Sequence, residues 1–203
     1  MNYKEGYSEN NGIKIFYRDY GPKDATPILL VHGLGAQLVN WPEHLIEFFI
    51  KNNLRPITFD NRDSGLSTRF KKKPSIVLGF LRYFFRVPIK AEYSLNDMAR
   101  DGINILNHLD INQAHILGTS MGGMISQIIC AKYPKRIKTL TLIASTASAP
   151  SPLNGASKEV RDIMVSRSKN KNLNADEFYK SHLKWVQLVG VNGKDIDTPK
   201  FKE

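Results

Sequence analysis

The chain has 203 residues, 41% of them hydrophobic, and a formal net charge of +10 from 29 Lys and Arg against 19 Asp and Glu. That length suits one α/β domain with a proper core. A single cysteine, Cys130, excludes an intramolecular disulfide and points to a reducing, cytoplasmic setting. The start, MNYKEGYSEN, holds no apolar signal-peptide core, and no run of 18 apolar residues suggests a membrane-spanning helix.

A basic balance raises the question of nucleic acid, but the lysines are spread along the chain. No helix-turn-helix, zinc or RNA-binding signature accompanies them, so nucleic acid is not the expected partner. The one dense run, Arg69-Phe70-Lys71-Lys72-Lys73, reads as a solvated loop.

In chain order, Asn10-Asn11-Gly12 is a hairpin turn leading into a strand from Ile13 to Tyr20. Pro27 to Val31 is an unbroken apolar run, the mark of a parallel strand buried on both faces. Trp41 to Leu54 has helical periodicity through Leu45, Ile46, Phe49 and Ile50. Pro56 to Phe59 is a further strand, ending at Asp60. Ser94-x-x-Asp97 is a capping box that opens a helix from Leu95 to Leu109. Ile116 and Leu117 close a buried strand, Met121 to Tyr133 reads as a helix stopped by Pro134, and Ile137 to Ala144 reads as one more strand. Strands and helices therefore alternate as in a doubly wound α/β protein. Cys130 falls in the helix after Ser120 and reads as a small buried apolar residue.

Gly118-Thr119-Ser120-Met121-Gly122 lies where a strand turns directly into a helix. A G-x-S-x-G pattern there is a nucleophile elbow: the turn is so tight that side chains at Gly118 and Gly122 would meet neighbouring backbone. With His32-Gly33-Leu34-Gly35 and the loop Asp60-Asn61-Arg62-Asp63-Ser64-Gly65-Leu66-Ser67, it makes three ordered motifs over residues 5 to 150. On these the chain resembles the α/β-hydrolase superfamily, and within it the serine esterases and methylesterases similar to aclacinomycin methylesterase and proline iminopeptidase relatives.

The resemblance implies an α/β-hydrolase fold, a mostly parallel sheet with helices on both faces and the start of a helical cap. It implies Ser120 as nucleophile and the backbone N–H groups of Leu34 and Met121 as the oxyanion hole. Gly33, Gly35, Gly118 and Gly122 shape the motifs, and His32 positions the oxyanion loop. Asp60, Arg62 and Asp63 are expected to pair within their own loop. No metal or organic cofactor is implied. The expected reaction is hydrolysis of a small-molecule carboxylic ester through an acyl-serine, with the leaving group left open. The alternative is an inert hydrolase-like binding protein or a truncated gene product.

A serine needs a general base and an orienting acid, which in this fold follow it in the order Asp or Glu, then His. After Ser145-Thr146-Ala147-Ser148 no carboxylate occurs before Glu159. The expected organisation is a hydrolase core over residues 1–150 and an incomplete cap over 151–203, with helices from Glu159 to Arg167 and Ala175 to Leu188. On this reading the fold stops before the strands that would carry acid and base. His115 lies five strand residues before Ser120, about 16 Å away. His108 ends a helix at the far side of the sheet, and neither His44 nor His182 has an evident acid partner. Two further expectations concern exposed apolar segments. Ile137 to Ala144 becomes an apolar edge strand, making the isolated chain prone to aggregation. Pro74 to Ala91 interleaves Ile76, Phe80, Tyr83 and Phe84 with Arg82, Arg86 and Lys90, and either packs onto the protein or faces a membrane surface.

Overall fold

A computed structural model of the chain describes residues 2–70 and 91–147, together with Lys158, Glu159, Asp162, Glu177 and Lys180. The chain divides into two units, Met1–Ser148 and Ala149–Glu203. Of the second, the five described residues are helical and exposed. The segment 74–90 and His182 lie outside the described residues.

Six strands form one sheet: β1 (Tyr3–Asn10), β2 (Ile13–Tyr20), β3 (Thr26–Val31), β4 (Leu54–Phe59), β5 (Ala114–Thr119) and β6 (Ile137–Ile143). Their order is β1-β2-β4-β3-β5-β6. β1 and β2 are a hairpin, turned at Asn11 and Gly12, whose φ of 51° and 77° match a two-residue turn that twists with the strands. β2 runs antiparallel to β4. The β4–β3, β3–β5 and β5–β6 contacts are all parallel. Helices among the described residues of the first unit are α1 (Glu43–Lys51), α2 (Leu95–His108) and α3 (Met121–Lys132).

Alternation along β3 sorts the core into two layers. Leu29 and Val31 pack with Met98, Ile103, Ile125 and Ile129 of α2 and α3. Ile28 and Leu30 face the other way, onto Ile46 and Phe49 of α1. Helices thus cover both faces, as a parallel strand without polar alternation requires. The α2 start is the expected capping box, in which Ser94 Oγ accepts from Asp97 N–H and the Asp97 carboxylate accepts from Ser94 N–H at 2.8 Å.

Three expectations need correction. The Trp41–Leu54 periodicity overstates α1: Leu38–Asn40 is a short 3₁₀ turn, and Trp41 and Pro42 are extended. Trp41 precedes a proline, which disfavours helical backbone, and Asn53 at φ 58° stops the helix before Leu54 enters β4. The α3 helix ends at Lys132, since Tyr133 likewise precedes Pro134. Cys130 is only half-buried, although burial still pushes its thiol pKa up. Among the described residues no helix is long and apolar enough to cross a membrane.

Candidate active site

β5 delivers Ser120 to the carboxyl edge of the sheet at φ 52° and ψ −121°, a left-handed conformation that is costly for a residue with a Cβ. The turn closes on its glycines. A Cβ on Gly118 would lie 2.6 Å from the Gly122 carbonyl oxygen, and one on Gly122 would strike the carbonyl oxygens of Val31 and His32. Ser120 is exposed as a result, and α3 begins at the next residue.

The loop after β3 lies against this turn. At Gly33 a Cβ would sit 3.1 Å from Ser120 Cβ and 3.3 Å from the Thr119 carbonyl oxygen. Gly35 has open space around it but a φ of 73°, so its role is conformational. No hydrogen bond among the described residues uses the N–H of Leu34 or of Met121. Leu34 and Met121 both line a cleft of about 320 Å³, together with Asn61, Tyr93, Leu95 and Met98. The cleft is thus lined by two residues whose backbone donors are free among the described residues, and by both polar and apolar side chains.

His32 is buried and its ring stacks on Trp41 at 4.3 Å. Burial lowers its pKa to about 4, so the imidazole is neutral at neutral pH. Its carbonyl accepts from Asn61 Nδ2 at 3.1 Å, tying the loop after β3 to the loop after β4. Asp60 strengthens that tie: Oδ1 accepts from Leu38 N–H at 2.8 Å and Oδ2 from Leu66 N–H at 2.9 Å. Gly65 presses on the same carboxylate, and Ser64 Oγ donates to the Ala36 carbonyl at 2.7 Å.

Asp60, Arg62 and Asp63 do not pair with one another. Arg62 leaves its loop for α2 and forms a two-pronged bond with Asp101, at 2.6 and 2.8 Å. Asp101 is buried and Arg62 partly so, and the planar guanidinium matches the two oxygens of the carboxylate. Burial pushes the Asp101 carboxyl pKa up while Arg62 draws it back. Asp63 instead accepts from Phe70 N–H at 2.7 Å and from the Tyr93 hydroxyl at 2.8 Å. Burial and that bond push the Tyr93 pKa up to about 12.

The described histidines divide as the strand geometry predicts. His115 Nδ1 meets Thr139 Oγ1 at 2.7 Å, His108 packs on Tyr17, and His44 is exposed. Among the described residues, no side chain hydrogen-bonds to Ser120 Oγ, and no group of three His, Cys, Asp or Glu is disposed to hold a metal. Sequence reasoning missed Asn61, Tyr93 and Met98 as cleft residues. The capping box at Ser94 marks where α2 begins, but only the packed fold brings that point beside the loop after β4.

A family model described as alpha/beta hydrolase fold matches residues 26–188. The chain belongs to the α/β-hydrolase fold family. Within this family it is 25% identical over 140 residues to rhodomycin D methylesterase DnrP of Streptomyces peucetius, covering 68% of this chain and 41% of the relative. It is 29% identical over 126 residues to rhodomycin D methylesterase DauP of a Streptomyces species, covering 62% and 37%. The matches thus span about two-fifths of those relatives' length. Among solved structures, a carboxylesterase of Nitrososphaera gargenis superposes with a TM-score of 0.64 at 20% identity, covering 89% of this chain and 57% of that one. A proline iminopeptidase-related protein of Thermus thermophilus superposes with a TM-score of 0.57 at 18% identity, covering 71% and 45%. The fold of this hydrolase-family chain is therefore that of esterase-like relatives.

Proposed function

We propose that this α/β-hydrolase is the nucleophile-bearing part of a serine ester hydrolase acting on a small-molecule carboxylic ester. The observation that carries the reading is Ser120, exposed at a left-handed turn against Gly33, with the residues that follow these two, Met121 and Leu34, each carrying an N–H unpartnered among the described residues and lining one cleft. Ser120 Oγ attacks the ester carbonyl carbon, and its proton passes to a base. The carbonyl oxygen takes up negative charge facing the two N–H donors, with the positive end of α3 behind Met121. Collapse expels the alcohol, which receives the proton, and water then releases the acid from acyl-Ser120. The base and its orienting acid come, on this reading, from outside the described core, and residues 151–203 belong to a helical cap. One half-buried cysteine accords with a cytoplasmic setting.

Esterase homologues with methyl ester substrates in their names support the class of bond. The test is covalent labelling by a fluorophosphonate, read as intact mass, beside hydrolysis of p-nitrophenyl acetate by the whole gene product. A single adduct lost in Ser120→Ala supports the reading. Hydrolysis that survives Ser120→Ala overturns it, and absence of both adduct and turnover favours an inert binding protein.

A further inference from the structure

Ser120 holds a conformation that its own Cβ disfavours, so its peptide must be fixed from outside. Its N–H meets the end of β6, and its carbonyl, which accepts from Gly123 N–H at 2.9 Å and Met124 N–H at 3.3 Å in the first turn of α3, also meets the segment just after β6. Its N–H donates to the Ile143 carbonyl at 2.9 Å, and its carbonyl accepts from Ser145 Oγ at 2.8 Å. The residue between these partners, Ala144, is itself left-handed at φ 49°. Gly123 is not required by the G-x-S-x-G pattern, yet a Cβ there would strike Ser145 Cβ and Oγ. Its missing side chain makes room for the Ser145 contact.

The consequence follows from peptide planarity. The Ser120 carbonyl and the Met121 N–H belong to one rigid trans peptide and point in opposite directions, so fixing the first aims the second. We propose that Ser145 is a positioning residue: its hydroxyl, by holding the Ser120 carbonyl, orients the Met121 N–H toward the cleft. The functional half of this inference rests on the reading of Ser120 as nucleophile and Met121 N–H as oxyanion donor.

The test compares wild type, Ser145→Ala, Ser145→Thr and Ser120→Ala in the full chain. Fluorophosphonate labelling is followed by intact mass, with thermal melting and amide hydrogen exchange at Ser120 and Met124. Ser145→Ala is expected to slow labelling about tenfold, the full net value of one hydrogen bond, with the probe's saturation constant and the melting temperature little changed. Ser145→Thr, which keeps the hydroxyl, restores the rate to within about threefold. Equal labelling rates in wild type and Ser145→Ala overturn the proposal. Loss of rate matched by a lowered melting temperature and no rescue by threonine also overturns it, since packing alone would then explain the loss. If wild type labels no faster than Ser120→Ala, the nucleophile reading falls. Amide exchange then decides the positioning claim: faster exchange at Ser120 and Met124 in Ser145→Ala sustains it, and unchanged exchange refutes it.

Discussion

The two flanks of the Ser120 turn are built differently. On one side the loops after β3 and β4 are cross-linked through buried polar groups: Asp60 to Leu38 and Leu66, Asn61 to His32, Arg62 to Asp101. On the other side β6 is half-buried at Ile137 and exposed at every later residue, including Leu140, Leu142 and Ile143, and it reaches the turn through two bonds to Ser120. β3 reads as an unbroken apolar run and β6 as an alternating, β-branched one, yet both carry apolar residues, and of the two only β3 has strands on both sides and helices on both faces among the described residues. Burial is thus a property of neighbours, and apolar pattern only proposes it. The loop carrying Leu34 is thus braced by buried polar bonds, whereas the β6 flank meets Ser120 with little packing behind it.

The largest effect that would test this contrast is Gly122→Ala. Its methyl would enter the carbonyls of Val31 and His32, backbone that cannot step aside, so cooperative melting should be lost or the stability lowered by about 4 kcal/mol or more. Arg62→Met strikes the cross-links and leaves Asp101 buried without a cation, which should cost about 3–5 kcal/mol at pH 7 by denaturant titration. Because burial already raises the Asp101 carboxyl, the deficit should shrink as pH falls and the group takes up a proton. A deficit that is flat or grows toward low pH would mean that Asp101 is not the group left exposed to the loss.

Leu30→Ala, in the fully buried strand, is expected to cost about 2–5 kcal/mol, and Leu142→Ala in β6 less than about 1 kcal/mol. Equal costs would show that β6 is packed in solution. A smaller, pH-dependent effect belongs to His32. Its folded pKa of about 4 lies below the ordinary 6.5, so the unfolded chain binds the proton first. Stability is full above pH 6.5 and falls between 6.5 and 4, by up to about 3 kcal/mol. His32→Phe, which keeps a ring against Trp41, should flatten the melting temperature across that window, while a slope unchanged by the substitution would assign it elsewhere.

Much of the fold was legible because it depends on local chemistry. The Asn11-Gly12 turn, the Ser94 capping box and the glycine-flanked Ser120 announce themselves within a few residues. The α1 boundary was not legible from periodicity, since Pro42 and the left-handed Asn53 overrule it from its two ends. Partners distant in sequence were not legible either. Arg62 finds Asp101 39 positions away, and Asp19 finds Arg55 36 positions away, in bonds that only the packed sheet creates. Of the candidate site, the motif residues could be read directly. The cleft wall from Asn61, Tyr93 and Met98 required the fold, because side chains from two chain segments more than 30 residues apart converge there.

Asp63 carries one last implication. Its two oxygens hold residues 70 and 93 at the exit and return points of the intervening stretch, and the rings of Phe70 and Tyr93 meet at 5.1 Å. With those stems joined on the core side, the core bears only a logarithmic entropy cost for whatever length runs between them, about 0.6 kcal/mol for each doubling. Asp63 is in that sense a graft point. Exchanging residues 71–90 for the corresponding stretch of another member of this fold family is expected to leave the core's melting nearly unchanged while Asp63 is intact. A large drop in melting on exchange would show that the stretch itself is part of the core's support.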